Sequence, residues 1–358
     1  MVDLAKAKEA SAAKLTPLFP RRSLESRPWV VRGHAMRGAV SALYGAPGSG
    51  KSLLALHLAI AVATGENWGP FEVLQSGSVI IVNREDDIAE MDRRTWAIGQ
   101  TQNIPDACPV LRLDRPDVYV AVRDQEGKLQ RTEFHGELIV AIREAGARLV
   151  VLDPMIELSG NLDENSNVDM NFLVETLRSV AAATDCAILM VHHVNKTGTG
   201  MNAMRGGSAI AGRVRAAHWL HHLPDNHGLN VDDPRPYRIL AGTKANYSEN
   251  GDEAHFRVEG QYHKDTDEWS PALEPVNLSQ KVSDAELANF LDGMRHYDRG
   301  DQTLPEAARR FGVSSRQIKT MRDRLLARGA LKLVEEYCDR AKRSVPHYRI
   351  SDELRVPI

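Results

Sequence analysis

Short, mainly apolar runs alternate with longer amphipathic stretches from about residue 30 to residue 259. Four of the runs stand out: VSALY (40–44), SVIIVN (78–83), RLVVLD (148–153) and CAILMV (186–191). The stretches between them, such as SLLALHLAIAVATG, place apolar residues at helical spacing. Continuous apolar strands separated by helices are typical of a parallel sheet with both faces covered. The pattern therefore predicts an α/β fold with a mostly parallel central sheet.

Three later runs continue the strand pattern: AHWLHHL (217–223), RILAGTK (238–244) and FRVEG (256–260). We expect them to extend the same sheet with antiparallel members. The first run is rich in histidine, but His218 and His222 would meet only on a helix. We therefore predict that these histidines are sheet residues and not metal ligands.

The patterns divide the chain into four parts. Residues 1–26 form an N-terminal extension, and residues 27–270 contain the α/β domain. Residues 271–283 hold two prolines and little periodicity, which predicts a linker. Residues 284–358 suggest a helix, a turn at Gly312, a second helix and two short strands around a charged loop. This order predicts a C-terminal winged-helix domain.

The composition, 42% hydrophobic and 26% charged, is that of an ordinary globular protein and excludes disorder as the dominant state. No stretch approaches the ~18 consecutive apolar residues of a membrane-spanning helix. The start of the chain lacks the apolar segment of a secretory signal. The three cysteines lie far apart and form no zinc or disulfide pattern. We expect a cytoplasmic protein without a membrane partner.

The formal net charge of −3 hides an asymmetry along the chain. Residues 281–358 contain 16 Lys and Arg against 12 Asp and Glu, a net charge of +4. The first 280 residues therefore carry −7. A basic C-terminal domain on a mildly acidic body favours nucleic acid as the partner of that domain.

Eight consecutive residues match the pattern GxxxxGK[ST] in full: Gly45, Ala46, Pro47, Gly48, Ser49, Gly50, Lys51 and Ser52. The match follows an apolar run and precedes a helical pattern, which is the context that a P-loop requires. Glycines allow successive N–H groups to point at phosphates. Lys51 would place a charge on the β- and γ-phosphates, and the Ser52 hydroxyl would ligate Mg²⁺. The predicted ligands are ATP and Mg²⁺.

Hydrolysis also needs a second metal ligand and a base. Asp153 ends an apolar strand, as the Walker B carboxylate that holds the Mg²⁺ through water does. Pro154 follows it, so the base must come from another strand. Glu85, in the acidic segment after SVIIVN, is the best candidate, and Asp86 and Asp87 are alternatives that could instead cap the next helix.

Further motifs follow in order: NREDD, LVVLDP, DENSN, TDCAILMVHHVNK, RGGS and GTKANYS. With the P-loop and a glutamate on the strand between the Walker motifs, the chain resembles the RecA-like branch of P-loop ATPases. Its details resemble the hexameric RepA-type replicative helicases of plasmids and phages. The resemblance covers roughly residues 27–260. It implies a RecA-like core that assembles into a homo-oligomeric ring, as a hexamer, on single-stranded DNA.

The resemblance also implies roles for single residues after the Walker B strand. His193 takes the place of the polar residue that senses the γ-phosphate. Lys196 lies in a glycine-rich stretch that looks like the DNA-gripping pore loop, and Arg205 opens the RGGS block that follows. Both are predicted to contact single-stranded DNA.

Two cations are implied to act on the neighbouring subunit's nucleotide. Arg215 falls where the family carries its arginine finger, and Lys244 matches a second trans-acting cation. Arg213 is the alternative finger, because strand alternation would place both arginines on one face. If these cations act in trans, a monomer should be a poor ATPase.

The predicted winged helix carries a basic segment. Residues 309–332 contain eight Lys and Arg and one acid, Asp323. Four residues are assigned to duplex DNA at the recognition helix: Arg316, Gln317, Lys319 and Arg322. The alternative is a domain that contacts only proteins.

Three functions are compatible with these features. The first is an ATP-hydrolysing DNA helicase or translocase of plasmid- or phage-type replication. The second is a DNA-binding ATPase that does not unwind, such as a recombination mediator or helicase loader. The third is a regulator that binds DNA through the winged helix under the control of ATP.

Overall fold

The structure is a computed structural model. It describes residues 25–113, 118–194, 210, 212–225, 229, 231, 233–245, 253–278, 319, 321–323, 325–326, 331–338 and 343–350. Within these residues, no helix is both long enough and apolar enough to cross a membrane.

Strands and helices alternate through the first two thirds of the described chain. The strands are β1 (Trp29–Val31), β2 (Ala35–Met36), β3 (Val40–Gly45), β4 (Val79–Asn83), β5 (Val110–Arg112), β6 (Ala121–Arg123), β7 (Leu129–Arg131), β8 (Leu149–Asp153), β9 (Ala187–His193), β10 (Ala216–His222), β11 (Tyr237–Ala245), β12 (Glu253–His263), β13 (Glu268–Val276), β14 (Leu331–Cys338) and β15 (Arg343–Ile350). The helices are α1 (Lys51–Thr64), α2 (Ile88–Gly99), α3 (Glu133–Ala145) and α4 (Asn167–Thr184), with a 3-10 helix at Met155–Leu158.

Nine strands form the central sheet in the order β13-β12-β11-β10-β3-β9-β8-β4-β5. The six strands from β10 to β5 pair in parallel, and β11, β12 and β13 continue the sheet in antiparallel fashion. One apolar cluster on one face of the sheet includes α3 and α4, and a second on the other face includes α1. The predicted α/β fold is confirmed, and the histidine run forms β10 as expected.

Helix α1 is enclosed on almost every side. Eleven of its fourteen residues are buried, because the β12–β13 hairpin curls over it towards α2. His57 connects these elements through both ring nitrogens. Its Nδ1 lies 2.9 Å from Oε1 of Gln102, and its Nε2 accepts the backbone N–H of Leu273 at 3.0 Å. The helix that follows the P-loop is therefore held by the far edge of the sheet.

The predicted linker at 271–283 overlaps the sheet. Residues 271–276 belong to β13, and they pair with β12 from Gly260↔Pro271 to His255↔Val276. The two prolines that suggested a linker are tolerated because β13 is an edge strand, which leaves one row of N–H groups without a ladder partner. The α/β domain thus extends to residue 276 in place of the expected 270.

Two strands close the described chain. β14 and β15 form an antiparallel hairpin with Leu331 opposite Ile350. These are the two short strands predicted for the wing. The predicted helices of the winged-helix domain lie almost entirely outside the described residues, apart from short helical pieces between residues 319 and 326. The winged helix therefore stays a prediction.

Candidate functional site

The loop between β3 and α1 is shaped by glycines. Gly48 and Gly50 have φ values of 73° and 92°, in the left-handed region that glycine adopts without strain. A Cβ on Gly45 would lie 2.2 Å from the carbonyl oxygen of Leu220, so β10 packs directly against the start of the loop. Gly50 is the N-cap of α1 and provides no side-chain cap. The first N–H groups of α1 are therefore left to bind an anion.

Lys51 projects from the first position of α1 into this loop. Its side chain is buried, and Nζ donates a hydrogen bond to the carbonyl oxygen of Ala46 at 2.9 Å. Burial lowers the pKa of Lys51, whereas the charges of Asp153 and Glu85 raise it. The lysine is thus folded back onto the loop, opposite two acidic groups.

Asp153 ends β8 level with Asn83, the last residue of β4. The Asp153 carboxyl is 3% exposed, and burial raises its pKa to about 6, while a hydrogen bond from the Ser52 hydroxyl acts in the opposite direction. Its Oδ1 is buried without a hydrogen-bond partner in the described part of the chain. A buried carboxylate oxygen beside a hydroxyl is a set of donors that suits Mg²⁺, which is held by few protein groups and by substrate phosphates. Ser52 and Asp153 therefore fit the ion.

The acidic segment after β4 is ordered by Asn83. Its Oδ1 accepts the backbone N–H groups of Glu85 at 2.9 Å and Asp86 at 2.8 Å. Asp86 forms a 2.6 Å ion pair with Arg94, and Asp87 caps the first turn of α2. Two of the three acids thus have structural partners. The carboxylate of Glu85 is exposed, and its charge raises the pKa of Lys51, so it lies near the P-loop.

His193 ends β9, and its position is level with Gly45 at the start of the P-loop. Burial lowers the pKa of His193, and the charge of Lys51 lowers it further, while Glu85 and Glu157 raise it. Its Nδ1 is buried and has no hydrogen-bond partner within the described residues. The lowered pKa favours the neutral ring, whose N–H group can donate one hydrogen bond to a phosphate oxygen.

A family model described as an AAA domain (AAA_25) matches residues 9–199, more than half of the chain. The chain belongs to this family. The match contains the P-loop, the acidic segment, Asp153 and His193, so it identifies a nucleotide-binding P-loop ATPase of the AAA type. It starts within the predicted N-terminal extension. The narrower resemblance to RepA-type helicases stays a prediction.

The AAA match ends before the two cations predicted to act in trans. Arg215 donates its backbone N–H to the carbonyl of Val40, the first residue of β3, five residues from Gly45. At about 3.3 Å per residue, roughly 16 Å separate Arg215 from the P-loop of its own chain. Lys244 pairs with Ala217 on β10 and lies near Arg215, whose charge, after burial, lowers the pKa of Lys244. The two cations lie near each other, and Arg215 lies at the end of β3 that is farther from its own P-loop.

Contacts with α4 distinguish Arg213 from Arg215 as candidates for the arginine finger. Arg213 donates to Oδ1 of Asn171 at 2.7 Å and forms a 2.6 Å ion pair with Glu175. The Arg213 guanidinium is therefore already bonded to side chains of its own chain. Arg215 remains our assignment for the finger.

Most of the predicted DNA contacts cannot be placed. Lys196, Arg205, Arg316 and Gln317 lie outside the described residues. Lys319 is exposed on a helical segment, as a DNA contact should be. Arg322 is partly buried and bonded to its neighbour Asp323 at 2.7 Å, which makes it a weaker candidate.

Arg238 was not singled out from the sequence, yet it touches the P-loop. Its guanidinium is buried on β11 and donates to the carbonyl oxygen of Ser49 at 3.1 Å and to two other backbone carbonyls. Burial lowers its pKa. The sequence does carry a signal for Arg238, because it lies two residues before Leu240 in a mainly apolar strand. A charge at a buried strand position needs hydrogen-bond partners to offset its desolvation.

The arrangement gives the chain's own residues distinct tasks. The P-loop N–H groups and Lys51 would bind the phosphates, Ser52 and Asp153 would hold the metal ion, and Glu85 would accept a proton from water. A Mg²⁺ ion held there would supply positive charge against the negative charge that develops on the phosphates. The residues expected to bind and hydrolyse the nucleotide within one chain therefore lie at the same end of the sheet.

Proposed function

We propose that the chain is an ATP-hydrolysing DNA helicase or translocase of plasmid- or phage-type replication, which acts as an oligomeric ring on single-stranded DNA. The observation that carries the proposal is the distance of Arg215 from the P-loop of its own chain. Roughly 16 Å of β3 lies between Arg215 and its own P-loop, beyond the reach of an arginine side chain.

A neighbouring copy would use this pair of cations. The charge of Arg215 lowers the pKa of Lys244, so the two cations are near each other, and the γ-phosphate of an adjacent subunit is an anion that both would attract. Contacts of this head-to-tail type close into rings when the rotation between subunits allows it. If these cations act on the nucleotide of a neighbouring subunit, ATP hydrolysis requires the subunits to assemble.

The DNA part of the proposal rests on charge and on the resemblance. Lys196 and Arg205 follow β9, whose end carries His193 beside the P-loop. A DNA contact so close in sequence to a phosphate sensor would connect hydrolysis to movement along the strand. The basic residues 309–332 offer a second surface, for duplex DNA.

The test compares ATP turnover without DNA, with single-stranded DNA and with duplex DNA, together with displacement of a strand from a forked substrate. We expect single-stranded DNA to raise turnover several-fold more than duplex, and displacement to require ATP. Lys51→Ala is the matched control and should be inactive in both assays.

Other outcomes would contradict the proposal. Stimulation by single-stranded DNA without displacement on any fork would favour the mediator or loader. Stimulation by duplex alone would favour the regulator.

A further inference from the structure

β11 carries one extra residue where it meets the start of β10. His218 pairs with Gly242 and Ala217 pairs with Lys244, so Thr243 is the additional residue of a β-bulge. Directly paired residues share a face of the sheet. Lys244 therefore lies on the face of Ala217, which belongs to the core cluster that includes Tyr44.

Without the bulge, Lys244 would lie on the other face. Leu240 pairs with Leu220, and both pack in the cluster of α1. Uninterrupted alternation from Leu240 would bring Lys244 to that same face, because every second residue of a strand shares a face. One extra residue reverses the face for all that follow. The bulge thus decides where the Lys244 ammonium points.

The bulge is fixed by one hydroxyl. Thr243 Oγ1 donates to the carbonyl oxygen of Ala217 at 3.0 Å and accepts a hydrogen bond from the Tyr44 hydroxyl at 2.7 Å. Tyr44 is fully buried and directly precedes Gly45, the first residue of the P-loop. Its side chain reaches across β10 to β11. Tyr44, which precedes the P-loop, therefore holds Thr243, which precedes Lys244.

We infer that Tyr44 and Thr243 are positioning residues for Lys244, and that their hydrogen bond joins the P-loop strand of one subunit to the cation that it offers to the next. The inference rests on the proposed trans action of Lys244. Arg215 repels Lys244 electrostatically, so a loosened bulge would let the ammonium move away. A displacement of about 1 Å in a catalytic group can reduce turnover by roughly 100-fold.

The first experiment uses conservative variants of the full-length protein. Tyr44→Phe and Thr243→Val each remove one hydroxyl and keep the volume. We expect each to lower kcat about 10-fold or more and to leave KM and the affinity for a fluorescent ATP analogue within about twofold. Thr243→Ser keeps the hydroxyl, so its kcat should stay close to the wild-type value, in contrast to that of Thr243→Val. Tyr237→Phe, which removes a hydroxyl without a hydrogen bond in the described part of β11, should match wild type.

The second experiment separates an effect in trans from damage to the variant's own P-loop. Tyr44→Phe protein is mixed with Lys51→Ala protein, whose subunits cannot turn over ATP but offer an intact Lys244. Turnover of the mixture should exceed the sum of the two alone. Mixing with the double variant Lys51→Ala/Tyr44→Phe should give no such gain. Thr243→Val replaces Tyr44→Phe in this design if the latter does not fold.

The outcomes distinguish the inference from the proposed function. If Lys244→Ala itself keeps wild-type turnover, the trans role of Lys244 is wrong and the inference falls with it. If Lys244→Ala is slow but Tyr44→Phe and Thr243→Val are as fast as wild type, only the inference is overturned. Equal losses from Tyr44→Phe in the wild-type and Lys244→Ala backgrounds would also overturn it, because the tyrosine would then act elsewhere.

Discussion

One amide side chain sorts three consecutive acids into separate roles. Asn83 holds the backbone of Glu85 and Asp86, Arg94 takes the carboxylate of Asp86, and Asp87 caps α2. Glu85 lies near Lys51 and His193, and its charge raises the pKa of both. These hydrogen bonds and the ion pair form within the chain itself, without a bound substrate.

Glu85→Gln should retain ATP binding and lose turnover by roughly 100-fold or more, because an amide cannot accept the proton of the attacking water. Single-turnover hydrolysis and binding of a fluorescent ATP analogue measure the two effects separately. Asp87→Asn is the matched control, since asparagine caps helices as well as aspartate does, and its turnover should stay within about twofold of wild type. A normal rate in Glu85→Gln would move the base to Asp86.

The site residues that short motifs carry could be predicted from the sequence. The P-loop, Asp153, Glu85 and His193 each follow a recognisable strand, and the structure brings them together. Tyr44, Thr243 and Arg238 could not be predicted, because their contacts depend on how three strands are paired. The bulge at Thr243 is followed by only two residues of β11, so too little of the strand remains for a change in the alternation to be visible.

At the scale of elements, the enclosed helix α1 depends on a neutral histidine. The backbone N–H of Leu273 must donate to Nε2 of His57, so Nδ1 carries the proton and donates to Gln102. Burial lowers the pKa of His57 to about 4, while the hydrogen bond that Nδ1 donates to Gln102 acts in the opposite direction. An imidazolium could not accept the bond from Leu273.

The pH dependence of stability follows from this pKa. The contribution of neutral His57 is fully present above the unfolded-state value near 6.5 and is lost as the pH falls towards about 4. At about 1.4 kcal/mol per pKa unit, the loss approaches 3 kcal/mol. Urea unfolding of wild type and His57→Gln at pH 7, 5.5 and 4.5 measures it. The variant should be less stable at pH 7 and show a shallower decline, and parallel declines would contradict the assignment.

The seven apolar runs that the sequence marks all form strands of the central sheet, whereas β13 and the short strands β1, β2, β5, β6 and β7 are not predicted. The parallel strands were visible because strands buried on both faces are continuously apolar. Pro271 and Pro275 interrupt the pattern of β13, so the sequence predicts a linker from residue 271 onwards. Proline marks a loop in the centre of a sheet but is compatible with an edge strand, and the edge position depends on the whole strand order.

At the scale of the whole molecule, a shared site predicts complementation. Arg215→Ala lacks the finger but keeps its P-loop, and Lys51→Ala has the opposite defect. Each alone should be inactive. In a 1:1 mixture of subunits, about a quarter of the sites would combine an intact P-loop with an intact neighbouring finger. ATP turnover of the mixture should rise accordingly, and a mixture as inactive as its parts would show that Arg215 acts in cis.

The basic C-terminal segment makes the prediction about duplex DNA. The double variant Arg316→Ala/Lys319→Ala should bind duplex more weakly, and the slope of log affinity against log salt should flatten by about one for each lost phosphate contact. Basal ATP turnover should be unchanged. Lys264→Ala, an exposed lysine of the α/β domain, is the control and should keep the wild-type slope. An unchanged slope in the double variant would favour a domain that contacts proteins.

The strand order has a consequence for the synthesis of the chain. β3 leaves the ribosome early, but its two neighbours in the sheet are β9 and β10, which begin at residues 187 and 216. The backbone on which the phosphate loop is built therefore stays unpaired until more than half of the protein has been made. Sheets closed by such distant pairings fold slowly, and their open edges invite aggregation. A fragment that stopped at residue 199 would lack β10 and the hairpin over α1, so this ATPase becomes a folded unit only after its last sheet strand has emerged.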